Sequence, residues 1–202
     1  MTKDEVIEEF RQAGALLEGH FLLSSGLHST AYLQCARVMM DARRGARLCA
    51  ALTERIVERL GAGAIDAVVS PAMGGVVVGY EMGRQLGVPA MFTERIDNSL
   101  ILRRGFGLAK GARVLMAEDI VTTGKSSREC IDCITELGGL VVAASCLIDR
   151  SDGEVDLGVP LFALAGRDLP TYDADNLPPR LPSSPPRDPG TRLGSGARCS
   201  GC

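Results

Sequence analysis

The first 61 residues show two helical patterns of hydrophobic positions, separated by short extended segments. Apolar residues recur at helical spacing over 4–17 and over 42–60, where Asp41 is a suitable N-cap and Gly61 ends the pattern. The residues between the two patterns are typical of short strands or extended pieces around a turn, at 21–26 and 31–38.

From residue 66 onward, short apolar runs alternate with amphipathic helical patterns. The apolar runs predict buried strands, at 66–70, 89–93, 113–118, 140–148 and 161–165. Helical patterns follow the first and third runs, whereas residues 94–111 are charged and show no clear period; the two helices are predicted at 76–86 and 126–137. This repetition with short turns favours an α/β fold, with a mostly parallel sheet flanked by helices.

The composition changes near residue 170. Six of the ten prolines fall within 178–189, and Gly, Ser and Arg dominate the remainder. We therefore expect residues 1–170 to form the folded domain and residues 171–202 to form a flexible tail, either disordered or lying over the domain. The tail also contains a lone CxxC at Cys199 and Cys202, which is a weak signal for zinc.

Composition and charge exclude several classes of protein. Hydrophobic residues make up 46% of the 202, enough for an ordinary core, and the net charge of −3 gives no support to nucleic-acid binding. No apolar run approaches the length of a membrane span, and seven scattered cysteines argue against a disulfide framework. We expect a cytoplasmic protein.

Nineteen of the 22 basic residues are Arg and three are Lys, which limits the chemistry that Lys can perform here.

The most informative segment runs from Val114 to Ser127. A buried strand ends in two adjacent acids, Glu118 and Asp119, and two apolar residues follow. A loop then opens a helix with Thr122, Thr123, Gly124, Lys125 and Ser126. Ligands bind beyond the carboxyl ends of parallel strands, and such a loop offers backbone N–H groups to a phosphate. A solvated strand end before an ordinary N-cap is the alternative, and a Walker A loop is excluded because its first Gly is missing.

This segment resembles the signature of the type I phosphoribosyltransferases. The resemblance implies that Glu118 and Asp119 hold the ribose 2′- and 3′-hydroxyls of phosphoribosyl pyrophosphate (PRPP). It also implies that the residues after them surround the 5′-phosphate: Ile120, Val121, Thr122, Thr123, Gly124, Lys125 and Ser126. Lys125 either reaches that phosphate or points outward.

Three further segments resemble the orotate phosphoribosyltransferases: residues 16–37, 70–75 and 147–150. Thr30 departs from that family, which usually shows Pro at this position. The resemblance implies a type I phosphoribosyltransferase fold with a small hood, roughly 1–40 and 160–170. It also implies synthesis of orotidine 5′-phosphate from orotate and PRPP, Mg²⁺ carried by PRPP without a direct protein ligand, and a homodimer. A PRPP-sensing regulatory module and a purine-type phosphoribosyltransferase are the alternatives.

The same resemblance assigns roles to further residues. The pyrophosphate loop would use Ala72, Gly74 and Gly75, and orotate would contact Ser25, Gly26, Thr122 and Arg150. Arg150 suits a carboxylate because its guanidinium forms bidentate pairs, although it could also be a solvated residue beside Asp149 or Asp152.

Residues 94–106 correspond to a mobile loop that, in the family, closes over the neighbouring subunit's site. Relatives supply Lys and His there, whereas this chain offers Arg95, Arg103 and Arg104. Arginine stabilises a leaving pyrophosphate by charge and is not an acid at neutral pH. Alternatively, Arg103 and Arg104 are only solvated charges at the end of a hairpin.

His20 and His28 are expected to be structural or surface groups, and Cys130 and Cys133 to be packing residues.

Overall fold

The computed structural model describes residues 1–23, 26–151, 153–166, 170–179, 181 and 185–187. The helices are α1 (Lys3–Gln12), α2 (Cys35–Met39), α3 (Ala42–Leu60), α4 (Gly75–Leu86) and α5 (Lys125–Glu136). The strands are β1 (Leu16–Leu22), β2 (His28–Leu33), β3 (Ala67–Pro71), β4 (Ala90–Ile96), β5 (Ser99–Leu102), β6 (Arg113–Val121), β7 (Leu140–Asp149), β8 (Leu161–Gly166) and β9 (Thr171–Tyr172). None of these helices is both long enough and apolar enough to cross a bilayer.

Six strands form the main sheet in the order β5-β4-β3-β6-β7-β8. All neighbouring pairs are parallel except β4 and β5. One apolar cluster on the sheet includes residues of α1, α3 and α4, and a second on the other face includes residues of α5. The predicted α/β fold with a mostly parallel sheet flanked by helices is confirmed.

The long helix α3 follows its sequence pattern closely. Asp41 caps its first turn by accepting from the backbone N–H groups of Arg43 and Arg44, and Gly61 ends it with φ +93°. Leu52 and Ile56 lie one turn apart and are fully buried, and burial of each such side chain stabilises the fold by roughly 1.5–3 kcal/mol.

The first helix is shorter than its hydrophobic pattern predicts. α1 begins at a capping box between Thr2 and Glu5 and ends at Gln12, because Gly14 takes a left-handed conformation with φ +61°. The last apolar positions of the predicted helix at 4–17 belong instead to β1, which pairs with β2 in an antiparallel hairpin. The prediction that the helix extends to residue 17 is therefore wrong.

The hood sheet has the order β1-β2-β9 and includes residues that the sequence places in the tail. Thr171 pairs with Ser29, and the backbone N–H of Arg187 donates to the backbone carbonyl of His20. Leu181 is 4% exposed. The described part of 171–187 thus lies against the hood, whereas residues 188–202, including Cys199 and Cys202, fall outside the described residues.

Residues 94–111, for which no period was visible, contain a hairpin. β4 continues to Ile96 and returns as β5 through Asp97 and Asn98, which both have positive φ, at 47° and 68°. Two central residues with positive φ suit the twist of a two-residue hairpin, and Asn and Asp tolerate that conformation best among residues with a side chain.

Candidate functional site

The candidate site lies at the carboxyl edge of the main sheet, beyond β3, β6 and β7. These strands are parallel neighbours, so the loops that follow them emerge at the same edge. The chain runs from β3 outward to β4 in one direction and continues through β6, β7 and β8 in the other. Ligands of open α/β sheets bind where the strand order reverses in this way.

The loop after β6 surrounds a small polar cavity. Its lining consists of Glu118, Ile120, Thr122, Thr123, Gly124, Lys125, Ser126 and Ser127. Gly124 is the N-cap of α5 and no side chain caps that helix end, so its first backbone N–H groups are available to an anion. Gly124 has φ +69°, and a Cβ there would approach the Val155 side chain to 2.5 Å, so only glycine fits.

The adjacent acids face different elements. Glu118 accepts a short hydrogen bond from the hydroxyl of Ser127 in the first turn of α5. Asp119 accepts from the backbone N–H of Ile120 at 2.8 Å, and its carboxylate lies against Gly74 in the loop after β3. Successive residues of a strand point to opposite faces, which places one acid toward the phosphate-type loop and the other toward the loop of α4.

Burial raises the pKa of both acids. Desolvation raises the pKa of Glu118 to about 7, while the hydroxyl of Ser127 lowers it and the charge of Asp119 raises it further. Desolvation likewise raises the pKa of Asp119, and the backbone N–H of Ile120 opposes that rise. Hydroxyl groups of a bound ligand would donate hydrogen bonds to these two carboxylates. Those bonds would replace the interactions with water that burial removes.

The loop after β3 contains Ala72, Gly74 and Gly75. The backbone N–H of Ala72 donates to Thr93 on β4 at 2.8 Å, which ties the loop to the neighbouring strand. Gly74 precedes α4 without a side-chain cap, so this helix also presents N–H groups at the sheet edge. Gly75 packs closely on β6, because a Cβ there would lie 3.1 Å from the Ala117 carbonyl oxygen.

Arg150 follows β7 and lies beside the end of β6, since its backbone N–H donates to the Val121 carbonyl at 2.8 Å. Asp149, named above as a possible partner of this arginine, is buried and accepts from both the backbone and the hydroxyl of Ser151 at 2.8 and 2.6 Å. Asp152, the other possible partner, lies outside the described residues.

The other residues assigned to orotate divide between the two sheets. Thr122 is exposed in the phosphate-type loop. Gly26 lies at the tip of the hood hairpin with φ +86°, and its N–H donates to Leu23 at 3.0 Å. Ser25 lies outside the described residues. The structure therefore brings Arg150 and Thr122 to the same sheet edge and places Gly26 on the hood.

The three arginines of 94–106 have different surroundings. Arg95 forms an ion pair with Glu129 on α5 and donates to the Asn98 carbonyl at 2.8 Å. Arg104 binds Glu94 with two hydrogen bonds of 2.8 and 3.0 Å, which lower the pKa of that carboxyl. Arg103 is exposed after β5, and no ion pair to it occurs within the described part of the chain.

Two residues that sequence reasoning did not single out support the loop after β6. Ser127 is only one of several hydroxyl residues in its segment of the sequence, and its hydrogen bond to Glu118 depends on how α5 packs. Arg128 donates to the carbonyls of Thr123 at 2.5 Å and Asp156 at 2.9 Å. It thereby joins the loop after β6 to the loop after β7. A polar residue at 128 carries no local signal for this role.

Several secondary candidates lie away from the cavity's centre. Lys125 is 78% exposed and 3.9 Å from Glu129, although it also lines the rim. His20 and His28 lie 2.6 Å apart on the hood hairpin, between Nε2 and Nδ1. Cys130 and Cys133 are buried, as expected for packing residues. Across the described ranges, no three His, Cys, Asp or Glu side chains form a metal-binding group.

Comparison with known proteins agrees with this geometry. Residues 39–158 match the family described as "Phosphoribosyl transferase domain". A relative in Novosphingobium aromaticivorans named "Orotate phosphoribosyltransferase" is 57% identical over 95% of this chain and 98% of its own length. A relative of the same name in Caulobacter vibrioides is 54% identical over the same shares. The crystal structure of orotate phosphoribosyltransferase from Aeropyrum pernix matches with a TM-score of 0.65, 27% identity, and coverage of 80% of this chain and 93% of that one.

Proposed function

The chain belongs to the orotate phosphoribosyltransferase family, and from this premise we propose that it forms orotidine 5′-phosphate and diphosphate from orotate and PRPP. A ring nitrogen of orotate forms a bond to ribose C1, and the bond from C1 to the pyrophosphate oxygen breaks. The pyrophosphate leaves with the electron pair, and the nitrogen proton passes to solvent. The single observation that carries the proposal is that Glu118 and an uncapped helix N-terminus line one cavity, directly beside Asp119.

PRPP binds with its 5′-phosphate at the start of α5 and its ribose beside the two acids. The N–H groups at the start of α5 and the hydroxyls of Thr122, Thr123 and Ser126 bind the 5′-phosphate. Glu118 and Asp119 accept hydrogen bonds from the ribose hydroxyls, which satisfies carboxylates that burial otherwise destabilises. The backbone N–H groups of Gly74 and Gly75 stabilise the pyrophosphate as negative charge develops on it.

Orotate binds at the neighbouring strand end. Arg150 pairs with its carboxylate or with a carbonyl at the ring edge, and Thr122 contacts it at the mouth of the loop. A role for Gly26 and Ser25 requires the hood hairpin to cover the orotate side of the site. That role rests on the family resemblance.

The hairpin of β4 and β5 supplies charge stabilisation through Arg95 on β4 and through Arg103 and Arg104 after β5. Two of them already pair with carboxylates, so their action on pyrophosphate requires exchange of those partners during closure. A homodimer in which residues 94–106 reach the neighbouring site would provide that closure. Three large hydrophobic residues are exposed on α4 and just before it: Met73 at 83%, Val77 at 50% and Tyr80 at 67%. A second copy of the chain would cover them.

Mg²⁺ enters with PRPP as part of the substrate. It would neutralise pyrophosphate oxygens, and PRPP rather than a protein side chain would hold it. We also propose a cytoplasmic location. Five cysteines of the described chain are buried free thiols, at positions 35, 49, 130, 133 and 146, which suits a reducing compartment.

The decisive experiment mixes the purified protein with orotate, PRPP and Mg²⁺ and follows the loss of orotate absorbance. Turnover is expected. Because it requires Asp119, Asp119→Asn should lower kcat/KM for PRPP at least tenfold. The unfolding curve of this variant should stay cooperative, which shows that it still folds. No absorbance loss at any protein concentration contradicts the proposal. Calorimetric binding of PRPP without turnover would indicate a regulatory module, and consumption of adenine or hypoxanthine would indicate a purine enzyme.

A further inference from the structure

We propose that Ser127 is a positioning residue for this reaction: its hydroxyl holds the Glu118 carboxylate in the orientation that accepts a ribose hydroxyl of PRPP. The inference rests on the proposed function for its substrate, and on the structure for its geometry. Ser127 lies outside the small-residue loop that the family resemblance assigns to the phosphate.

The geometry places a fully buried donor on one oxygen of a carboxylate. Ser127 is 0% exposed in the first turn of α5, and its hydroxyl donates to Oε2 of Glu118. Both residues also line the cavity after β6. The donor therefore occupies one carboxylate oxygen and leaves Oε1 to accept from the ligand. A side chain with three rotatable bonds is thereby restricted before PRPP arrives.

The same bond favours the ionised form of Glu118. Burial opposes ionisation of this carboxyl, and the Ser127 hydroxyl is the interaction that lowers its pKa. Among the residues that the structure describes, the titratable groups that interact electrostatically with it are Asp119 on its own strand, Cys130 on α5 and Cys146 on β7. Burial raises the pKa of both thiols, so they stay neutral. The cation of Lys125 lies toward Glu129 instead.

A carboxylate accepts two hydroxyl donors, whereas a protonated carboxyl must donate from one oxygen. Without the Ser127 hydroxyl, Glu118 would be neutral over more of the pH range and free to rotate. Loss of the serine hydroxyl should therefore weaken PRPP handling at every pH through lost orientation, and more strongly near and below neutrality, where it also leaves more of Glu118 neutral.

The test compares Ser127→Ala with Ser145→Ala. Ser145 is a matched control, because it is also 0% exposed and its hydroxyl donates to the Met116 carbonyl at 3.3 Å in the same sheet. The titration of the Glu118 carboxyl is followed by carbon NMR on the intact protein, with Glu118→Gln to assign the signal. Its midpoint is expected to rise by about one pH unit in Ser127→Ala and to stay in place in Ser145→Ala.

In kinetics, a rise of about one unit from a midpoint near pH 7 makes the loss in kcat/KM for PRPP about fivefold larger at pH 7 than at pH 9. An unchanged NMR midpoint, or a wild-type value of kcat/KM for PRPP at pH 7, overturns the positioning role. If Ser127→Ala does not fold, Ser127→Cys keeps the volume with a weaker donor and should shift the midpoint in the same direction. If the wild type makes no orotidine 5′-phosphate, the NMR midpoints still decide whether Ser127 controls Glu118.

Discussion

Asp119 occupies the space that a side chain on Gly74 would need. A Cβ built on Gly74 lies 2.8 Å from both carboxylate oxygens of Asp119, closer than real Cβ contacts allow. The loop after β3 and the acid at the end of β6 are thus fitted to each other. A residue with a side chain fits at position 74 only if that carboxylate moves away.

The fit between these two residues predicts that Gly74→Ala displaces the Asp119 carboxylate. Only the end of the Asp119 side chain has to move, so the unfolding free energy should change little, whereas kcat/KM for PRPP should fall at least tenfold because the displaced acid no longer meets the ribose hydroxyls. Steady-state kinetics and urea unfolding measure the two effects. Gly107→Ala is the matched control, since a Cβ at Gly107 meets nothing within 4 Å. Equal kinetics for both variants would contradict the fit.

The raised pKa of Glu118 predicts an unusual dependence of stability on pH. A carboxyl with a folded pKa of about 7 and an unfolded pKa near 4.5 binds more protons in the folded state, so stability falls as pH rises from about 4.5 to about 7. Glu118→Gln should therefore be more stable than the wild type at pH 8, by roughly 3 kcal/mol at most, and the gain should vanish near pH 4. Urea unfolding across this range measures it. Glu136→Gln, an exposed change at the far end of α5, should show no such trend.

Arg150 should determine the affinity for orotate. A lysine provides one point charge in place of a planar pair of donors, so Arg150→Lys should raise KM for orotate about tenfold and leave KM for PRPP nearly unchanged. Arg59→Lys, on the exposed face of α3, is the control. Saturation curves for each substrate separate the effects, and an unchanged KM for orotate would indicate that Arg150 is only a solvated residue after β7.

Arg103 is the hairpin arginine most available to the leaving pyrophosphate, because Arg95 and Arg104 already pair with Glu129 and Glu94. Arg103→Gln should lower kcat about tenfold or more without a measurable change in unfolding free energy. Arg43→Gln, at an exposed position on α3, provides the comparison. Turnover equal to that of the wild type would mean that Arg103 is only a solvated charge after β5.

Arg128 joins the loops after β6 and β7 through the Thr123 and Asp156 carbonyls, so its loss should loosen the phosphate subsite. Arg128→Gln is expected to raise KM for PRPP several-fold and to lower unfolding free energy by about 1–2 kcal/mol, in line with two lost hydrogen bonds from a charged, exposed donor. Calorimetric titration with PRPP and thermal unfolding report the two changes. Arg59→Gln should alter neither.

Local signals in the sequence were sufficient for much of the fold and for the position of the phosphate-type loop. Strand and helix patterns from residue 42 onward, the Asp41 cap and the Gly61 stop depend on residues close in the chain, and these appear in the structure. The extended piece predicted at 31–38 instead ends at Leu33, and Cys35–Met39 form α2. The end of α1 was missed because Gly14 interrupts an apolar pattern that continues into β1. Periodicity did not show the hairpin of β4 and β5, which the sequence suggested only as an alternative, because pairing between the strands defines it.

The sequence by itself determined that two acids precede a loop able to bind phosphate, because strand, acids, loop and helix are contiguous in the chain. Only the tertiary structure decided that Glu118 turns toward Ser127 and Asp119 toward Gly74. It also decided that Arg104 pairs with Glu94 and that Thr171 joins the hood sheet. These contacts depend on which faces of strands and helices meet, and that choice is made by packing between segments distant in the chain.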